Sequence, residues 1–298
     1  MLTTAAPAPR RGRGKSTRSL KLVEAAREIL AEIQPATVRA VCYRLFVASI
    51  IDSMEKRNTS RVSVQLTWAR EQGIIPWRWI VDETREAECI PAWDDPESFA
   101  KSISRQYRRD NWSQQDVLLE VWSEKGTMRG TLAPVLQEYG VTFRVMHGFA
   151  SATSAYDVAQ MIEDEARSVI VPYVGDWDPS GLFMSDEDLP KRLAEYGAEP
   201  DEFRRLALTE ADIRNPDLPS FHASDKRKDP RHHWFVSRYG QRCWEVDALS
   251  PVVLRDRLEG AIRAEIDWQA WHRCEVAEQA ETRSLRQVLI AWSEAKHG

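Results

Sequence analysis

Cysteine is scarce in this chain: Cys42, Cys89, Cys243 and Cys274 are the only four in 298 residues, widely spaced and with no C-x-x-C pair. That pattern indicates neither a disulfide framework nor a zinc site, and it fits a reducing, cytoplasmic setting. No apolar run is long enough to span a bilayer, and no apolar segment follows the basic amino terminus as it would in a secretory signal. A soluble protein without a membrane partner is therefore expected. Residues 1–22 lack acids altogether but hold Arg10, Arg11, Arg13, Lys15, Arg18 and Lys21, so the net charge of −5 hides a basic arm on a body with 35 basic and 46 acidic residues. Rich in Ala, Pro and Gly, residues 1–19 are expected to be disordered, either neutralising phosphates or simply solvated. What the chain does have is a large apolar complement, 43% hydrophobic with twelve Trp, and a length that suits two domains.

The amino-terminal third reads as helices. Leu22, Val23, Ala26, Ile29, Leu30 and Ile33 recur at three- and four-residue spacing until Gln34-Pro35 stops the pattern. Thr37 is a candidate N-cap for a second helix with Val38, Val41, Cys42 and Leu45 on its core seam. Tyr43 falls off that seam. Arg39, four residues earlier, shares its face, so a phenol and a guanidinium are expected side by side on the outward surface, able to hold a phosphate or simply stacked. After a polar loop at Lys56 to Ser60, Val62, Leu66 and Ala69 mark a third helix ending near Gly73, and IIPWRWIVDE reads as strand. Three helices followed by a β-ribbon is the order of a winged helix, which binds DNA; compact three-helix modules also bind proteins. Arg57, Arg61, Arg70 and Arg78 are its candidate DNA contacts. An irregular connection follows, helical over Ser98 to Arg109, with the basic cluster Arg105, Arg108 and Arg109 near its end.

The middle of the chain alternates strand and helix. VLLEVWSE ends in Glu124, VTFRVMHG in His147-Gly148, and SVIVPYVGDWDPSG carries Asp176 and Asp178 just past its apolar run. Continuous apolar runs are the mark of buried parallel strands, and open α/β sheets do their chemistry beyond the carboxyl ends of such strands. Three acids are thus expected at one sheet edge, where their mutual repulsion calls for a hard, oxygen-liganded cation such as Mg²⁺. His147 is a single His, and His232-His233 lack ligand spacing, so none of the three is taken as a ligand.

The last third predicts a helix capped by Ser185, a strand over Phe203 to Leu208, a mixed-charge KRKDPRHH loop, a helix opened by Ser250-Pro251, and a final helix with Trp268, Trp271 and Trp292. The loop could meet DNA or be solvated. The Trp stripe could pack on the domain or on a second subunit. Glu245 and Asp247 are candidate auxiliary acids near the metal or members of a structural ion pair.

Taken together, Arg39-Ala-Val-Cys-Tyr43, Glu124-Lys125 and Asp176-Trp-Asp178-Pro-Ser-Gly181 resemble the motifs of the topoisomerase VI A subunit and its relatives, the meiotic double-strand-break transesterases and the short Topo mini-A proteins. The resemblance extends over residues 20 to 190, and the acids lie 52 residues apart, as suits the same fold. It implies a mixed α/β chain: a basic arm (1–19), a tyrosine-bearing winged-helix domain (20–90), a linker (91–112) and a Toprim-type parallel α/β domain with helical C-terminal extension (113–298). It further implies that Tyr43 attacks a DNA phosphodiester with help from Arg39 and Lys125, that Glu124, Asp176 and Asp178 hold Mg²⁺, and that tyrosine and metal come from opposite subunits of a homodimer. No ATPase segment is evident, so a separate ATPase subunit is an open expectation. The alternatives are a Toprim nuclease using water, with Tyr43 structural, and a non-catalytic winged-helix DNA binder.

Overall fold

The computed structural model describes residues 15–81, 92–146 and 152–295, and the chain divides into two compact units, Met1–Ile80 and Val81–Gly298. The first is built on three helices, α1 (Thr17–Ile33), α2 (Val38–Val47) and α3 (Lys56–Glu71). Ser16 caps α1, accepting from the Ser19 N–H at 3.2 Å, so residues 17–19 of the expected arm are helical. Leu22, Ala26 and Leu30 of α1, Val41 and Leu45 of α2, and Val62, Leu66 and Ala69 of α3 close one apolar core. Thr37 caps α2 by accepting from the Ala40 N–H at 3.0 Å. The expected polar loop at Lys56 to Ser60 is instead the first turn and more of α3, and the helix ends before Gly73, whose φ of 71° glycine adopts at no steric cost.

The strand expected over IIPWRWIVDE does not form in its described part. Pro76 fixes φ at −58° and Trp77–Trp79 wind into a single 3₁₀ turn, closed by the Trp79 N–H on the Pro76 carbonyl at 3.1 Å. Only Ile80 makes a β contact, a bridge to Ala36. Apolar content alone does not tell a strand from a tight turn that buries Ile75 and Ile80. The remainder of the expected ribbon, and Cys89, lie outside the described residues.

In the second unit α4 (Pro96–Gln106) starts two residues before Ser98, because Asp95 caps it with Pro96 at its first position, and it ends before Arg108 and Arg109. Then come β1 (Val117–Ser123), α5 (Met128–Tyr139), β2 (Thr142–Val145), α6 (Ala152–Asp164), β3 (Ser168–Val174), α7 (Pro179–Phe183), α8 (Leu189–Glu195) and β4 (Glu202–Ala207). The strands form one parallel sheet in the order β2-β1-β3-β4. The two buried apolar runs, β1 and β3, are therefore hydrogen-bonded neighbours at its centre, and their carboxyl ends share an edge. Within β1, Glu120 is buried but satisfied by two 2.8 Å bonds from Arg144 of β2.

Ser185 does not cap the helix that follows β3. Asp178 does, accepting from the Gly181 N–H at 2.8 Å with Pro179 at the first helical position. Helical backbone runs from there through a π turn at Met184–Asp188 into α8, which leaves Ser185 buried inside it. The rest comprises α9 (Glu210–Ile213), an antiparallel pair β5 (Phe221–His222) and β6 (Arg242–Cys243) enclosing α10 (His232–Tyr239), and then α11 (Pro251–Glu265) and α12 (Trp268–Ala295). Trp271 of α12 packs edge-on against Trp112 at 5.8 Å, so at this point the Trp stripe serves the domain itself, while Trp268 and Trp292 are exposed. No described helix is long and apolar enough to cross a membrane.

Candidate functional site

Glu124 directly follows β1, and Asp176 and Asp178 follow β3 by two and four residues. The adjacency of the two strands brings the three acids together, and the Asp176 N–H donates to Glu124 Oε1 at 3.2 Å. A methyl group on Gly181 would meet the Asp176 carbonyl at 2.5 Å and Glu124 Oε1 at 2.9 Å, so only glycine lets the helix start this close. Asp176 and Asp178 are almost fully buried. Burial, then repulsion from Asp176 and Asp178, pushes the Glu124 carboxyl up; burial and Asp178 raise Asp176 even though Lys125 pulls it down.

The segment Trp244 to Asp247 completes the site. Trp177 and Trp244 exchange backbone hydrogen bonds of 2.9 and 3.0 Å, and the Val246 N–H donates to Asp176 Oδ1 at 2.8 Å. Lys125 lies between Asp176 (2.9 Å) and Asp247 (3.1 Å), and although burial opposes its charge, these two acids raise its pKa. Glu245 adds to the field on Lys125 and on Lys226. Of the two candidate auxiliary acids, Asp247 is thus an ion-pair partner inside the site and Glu245 a nearby charge. Trp177 is buried between the aspartates, its ring edge-on to Tyr239 at 5.6 Å.

Two participants were not among the expected site residues, although Lys226 opens the mixed-charge KRKDPRHH loop. Lys226 reaches Asp178 Oδ2 at 3.0 Å, and Arg205 on β4 donates to the carbonyls of Gly175 (3.1 Å), Asp176 (3.2 Å) and Gly181 (3.0 Å) and to the Ser185 hydroxyl. Arg205 holds the acidic loop by its backbone and also lies over the Tyr173 ring at 5.2 Å. Its only signal in the sequence is a charged residue within the strand expected over Phe203 to Leu208.

The donor set suits a hard cation in chemistry: all oxygen, with three buried carboxylates (Asp176, Asp178, Asp247) and two half-buried ones (Glu124, Glu245) against the ammonium groups of Lys125 and Lys226. In the arrangement described the lysines occupy the carboxylates, and among the described residues no three acid, His or Cys side chains stand at metal-ligand spacing. Cation binding would require those lysines to yield. Of the expected residues, His147 and Gly148 lie outside the described ones. His232 and His233 lie on α10 as an edge-on pair with ring centroids 6.1 Å apart.

In the first unit Arg39 and Tyr43 do pair, with the guanidinium 5.7 Å from the ring centroid. Tyr43 is however only 3% exposed, which corrects the outward placement read from helical periodicity. A position off the main seam of an amphipathic helix can still be covered, because the wheel knows only one neighbour. Among the candidate DNA contacts Arg57 and Arg78 are exposed and Arg61 half-buried. Arg70 stacks on Trp77 at 4.7 Å. Arg105 and Arg108 line a cavity of about 810 Å³ between α4 and α12, and Arg109 is drawn into an ion pair with Glu281. Arg109 is therefore a structural tie to α12, a use its place in a basic cluster did not reveal. Cys42, Cys243 and Cys274 are buried, and no disulfide forms among the described residues. Compared with known protein families and with curated proteins, the chain matches none.

Proposed function

We propose that this protein is a Mg²⁺-dependent DNA transesterase, similar to the A subunit of type IIB topoisomerases, with a winged-helix tyrosine domain and a Toprim-type metal domain acting in a homodimer on double-stranded DNA. The observation that carries this reading is the convergence of Glu124, Asp176 and Asp178 at neighbouring tips of a parallel sheet, at a cost in electrostatic energy that a structural role does not require. Mg²⁺ held by these three acids would neutralise charge on the reacting phosphate and the departing oxygen. The Tyr43 phenol attacks phosphorus, the P–O3′ bond breaks, the phenolic proton leaves to solvent, and the released 3′ oxygen takes up a proton. The products are a 5′-phosphotyrosyl link and a 3′-hydroxyl. An unassisted phenol, with a pKa of about 10, is a poor nucleophile at neutral pH, and Arg39 against the ring is suited to stabilising the phenolate.

The burial of Tyr43 favours one alternative: a water-using nuclease built on the same acids, in which Tyr43 only packs. Supercoiled DNA, Mg²⁺ and denaturing gels separate the two. Protein-linked 5′ ends that vanish in Tyr43→Phe support the transesterase. Breaks with free 5′-phosphates that survive the substitution would establish the nuclease, and intact DNA binding without any cleavage would leave a DNA-binding protein.

A further inference from the structure

One stretch of the second unit that is dense in positive charge is anchored to the acids. Residues 226–242 hold Lys226, Arg227, Lys228, Arg231, Arg238 and Arg242 against the single acid Asp229, in a chain that is otherwise acidic beyond its arm. Mixed charge in a loop says little by itself, but the fold ties this stretch to the carboxylates at both ends. Lys226 pairs with Asp178 at 3.0 Å, and Trp244, two residues after Arg242, bridges to Trp177. Between those ties aromatic contacts join the stretch to the acidic loop and to α7: Trp177 to Tyr239 (5.6 Å), Tyr239 to Trp234 (5.6 Å), Trp234 to Phe183 (5.1 Å).

Some of these cations are already spent, Arg231 on Asp229 at 3.0 Å and Arg238 on Glu187. Arg227, Lys228 and Arg242 are exposed and make no ion pair among the described residues. A phosphodiester brought to a site rich in carboxylates is repelled by them, so the strand must be neutralised on either side of the reacting phosphate. We propose that Arg227, Lys228 and Arg242 form a phosphate-binding ridge that guides the DNA strand to the acids. The identity of the strand rests on the cleavage reading above; the binding itself does not need cleavage.

The test uses the full chain with alanine at all three positions, a short DNA duplex, and EDTA in place of Mg²⁺, with fluorescence anisotropy read over a range of salt. Loss of three phosphate contacts is expected to weaken binding about tenfold or more and to lower the slope of log K against log salt by about three. A Lys191→Ala/Arg214→Ala control, which removes exposed cations elsewhere on the unit, is expected to change neither. Unchanged affinity and slope in a folded triple variant would overturn the ridge. Should that variant not fold, amine labelling of the wild-type chain decides: DNA shields Lys228 and not Lys191 if the ridge binds, and equal labelling overturns it. Weakened EDTA binding in a protein that never cleaves with Mg²⁺ would still support the ridge while removing the cleavage reading.

Discussion

The two units bury their candidate reactive groups at very different cost. Around β1 and β3, carboxylates are taken out of water and pressed on one another, and both Glu124 and Asp176 respond with raised pKa values. In α2, Tyr43 is just as buried, yet a phenol ring under a guanidinium is comfortable there and most of its surface is apolar. Crowding of carboxylates at one sheet edge is thus informative about function, whereas burial of a tyrosine is not. The acids carry the functional reading, and Tyr43 depends on experiment.

The sharpest way to separate the regions after Tyr43→Phe is Arg39→Ala. If the pair is chemical, strand cleavage slows by about a hundredfold or more with DNA affinity unchanged, read in single-turnover assays. An equal loss of rate and of thermal stability would return Arg39 to packing. Arg205→Ala addresses the acid side. Removing a guanidinium that serves three backbone carbonyls and the Ser185 hydroxyl is expected to cost about 3 kcal/mol, measured by denaturant unfolding followed through Trp fluorescence.

A smaller effect sets one buried acid against another. Asp212 is as buried as Asp176, and burial alone would raise it, but Arg257 and the Thr209 N–H and hydroxyl hold it below the ordinary carboxylate range. A depressed folded-state pKa adds stability above the unfolded value of about 3.9, and that stability is lost as pH falls through the folded value. Asp212→Asn should therefore destabilise the protein by about 2 kcal/mol at pH 7, with the gap to wild type closing in acid. Glu124→Gln has the opposite sign. Relieving a repelled, half-buried charge is expected to stabilise the metal-free protein by about 1 kcal/mol at pH 7 while removing cation binding, as thermal unfolding with and without Mg²⁺ would show. If both substitutions destabilise, the acids at the sheet edge are an ordinary ion-pair network.

The positions of Glu124, Asp176 and Asp178 were legible because strand periodicity and chain order are local properties: an apolar run ends, a polar tip begins, and right-handed crossovers put successive tips on one edge. The helix start was misplaced at Ser185, whereas Asp178, followed by Pro179 at the first helical position, is the residue that accepts from the Gly181 N–H. The 3₁₀ turn at Trp77 was missed because Pro76 permits either a turn or a strand edge, and an apolar string does not decide between them.

By itself the sequence determined the helices of the first unit, the parallel strands of the second and the presence of acids at their tips, all consequences of period and chain order. Only the tertiary structure decided that β1 and β3 are neighbours, that Lys125 pairs with Asp176 and Lys226 with Asp178, that Arg205 holds their loop, and that Tyr43 is covered. Each of these is a contact between residues far apart in the chain, and no local pattern specifies which distant side chain will arrive to balance a charge or shield a ring.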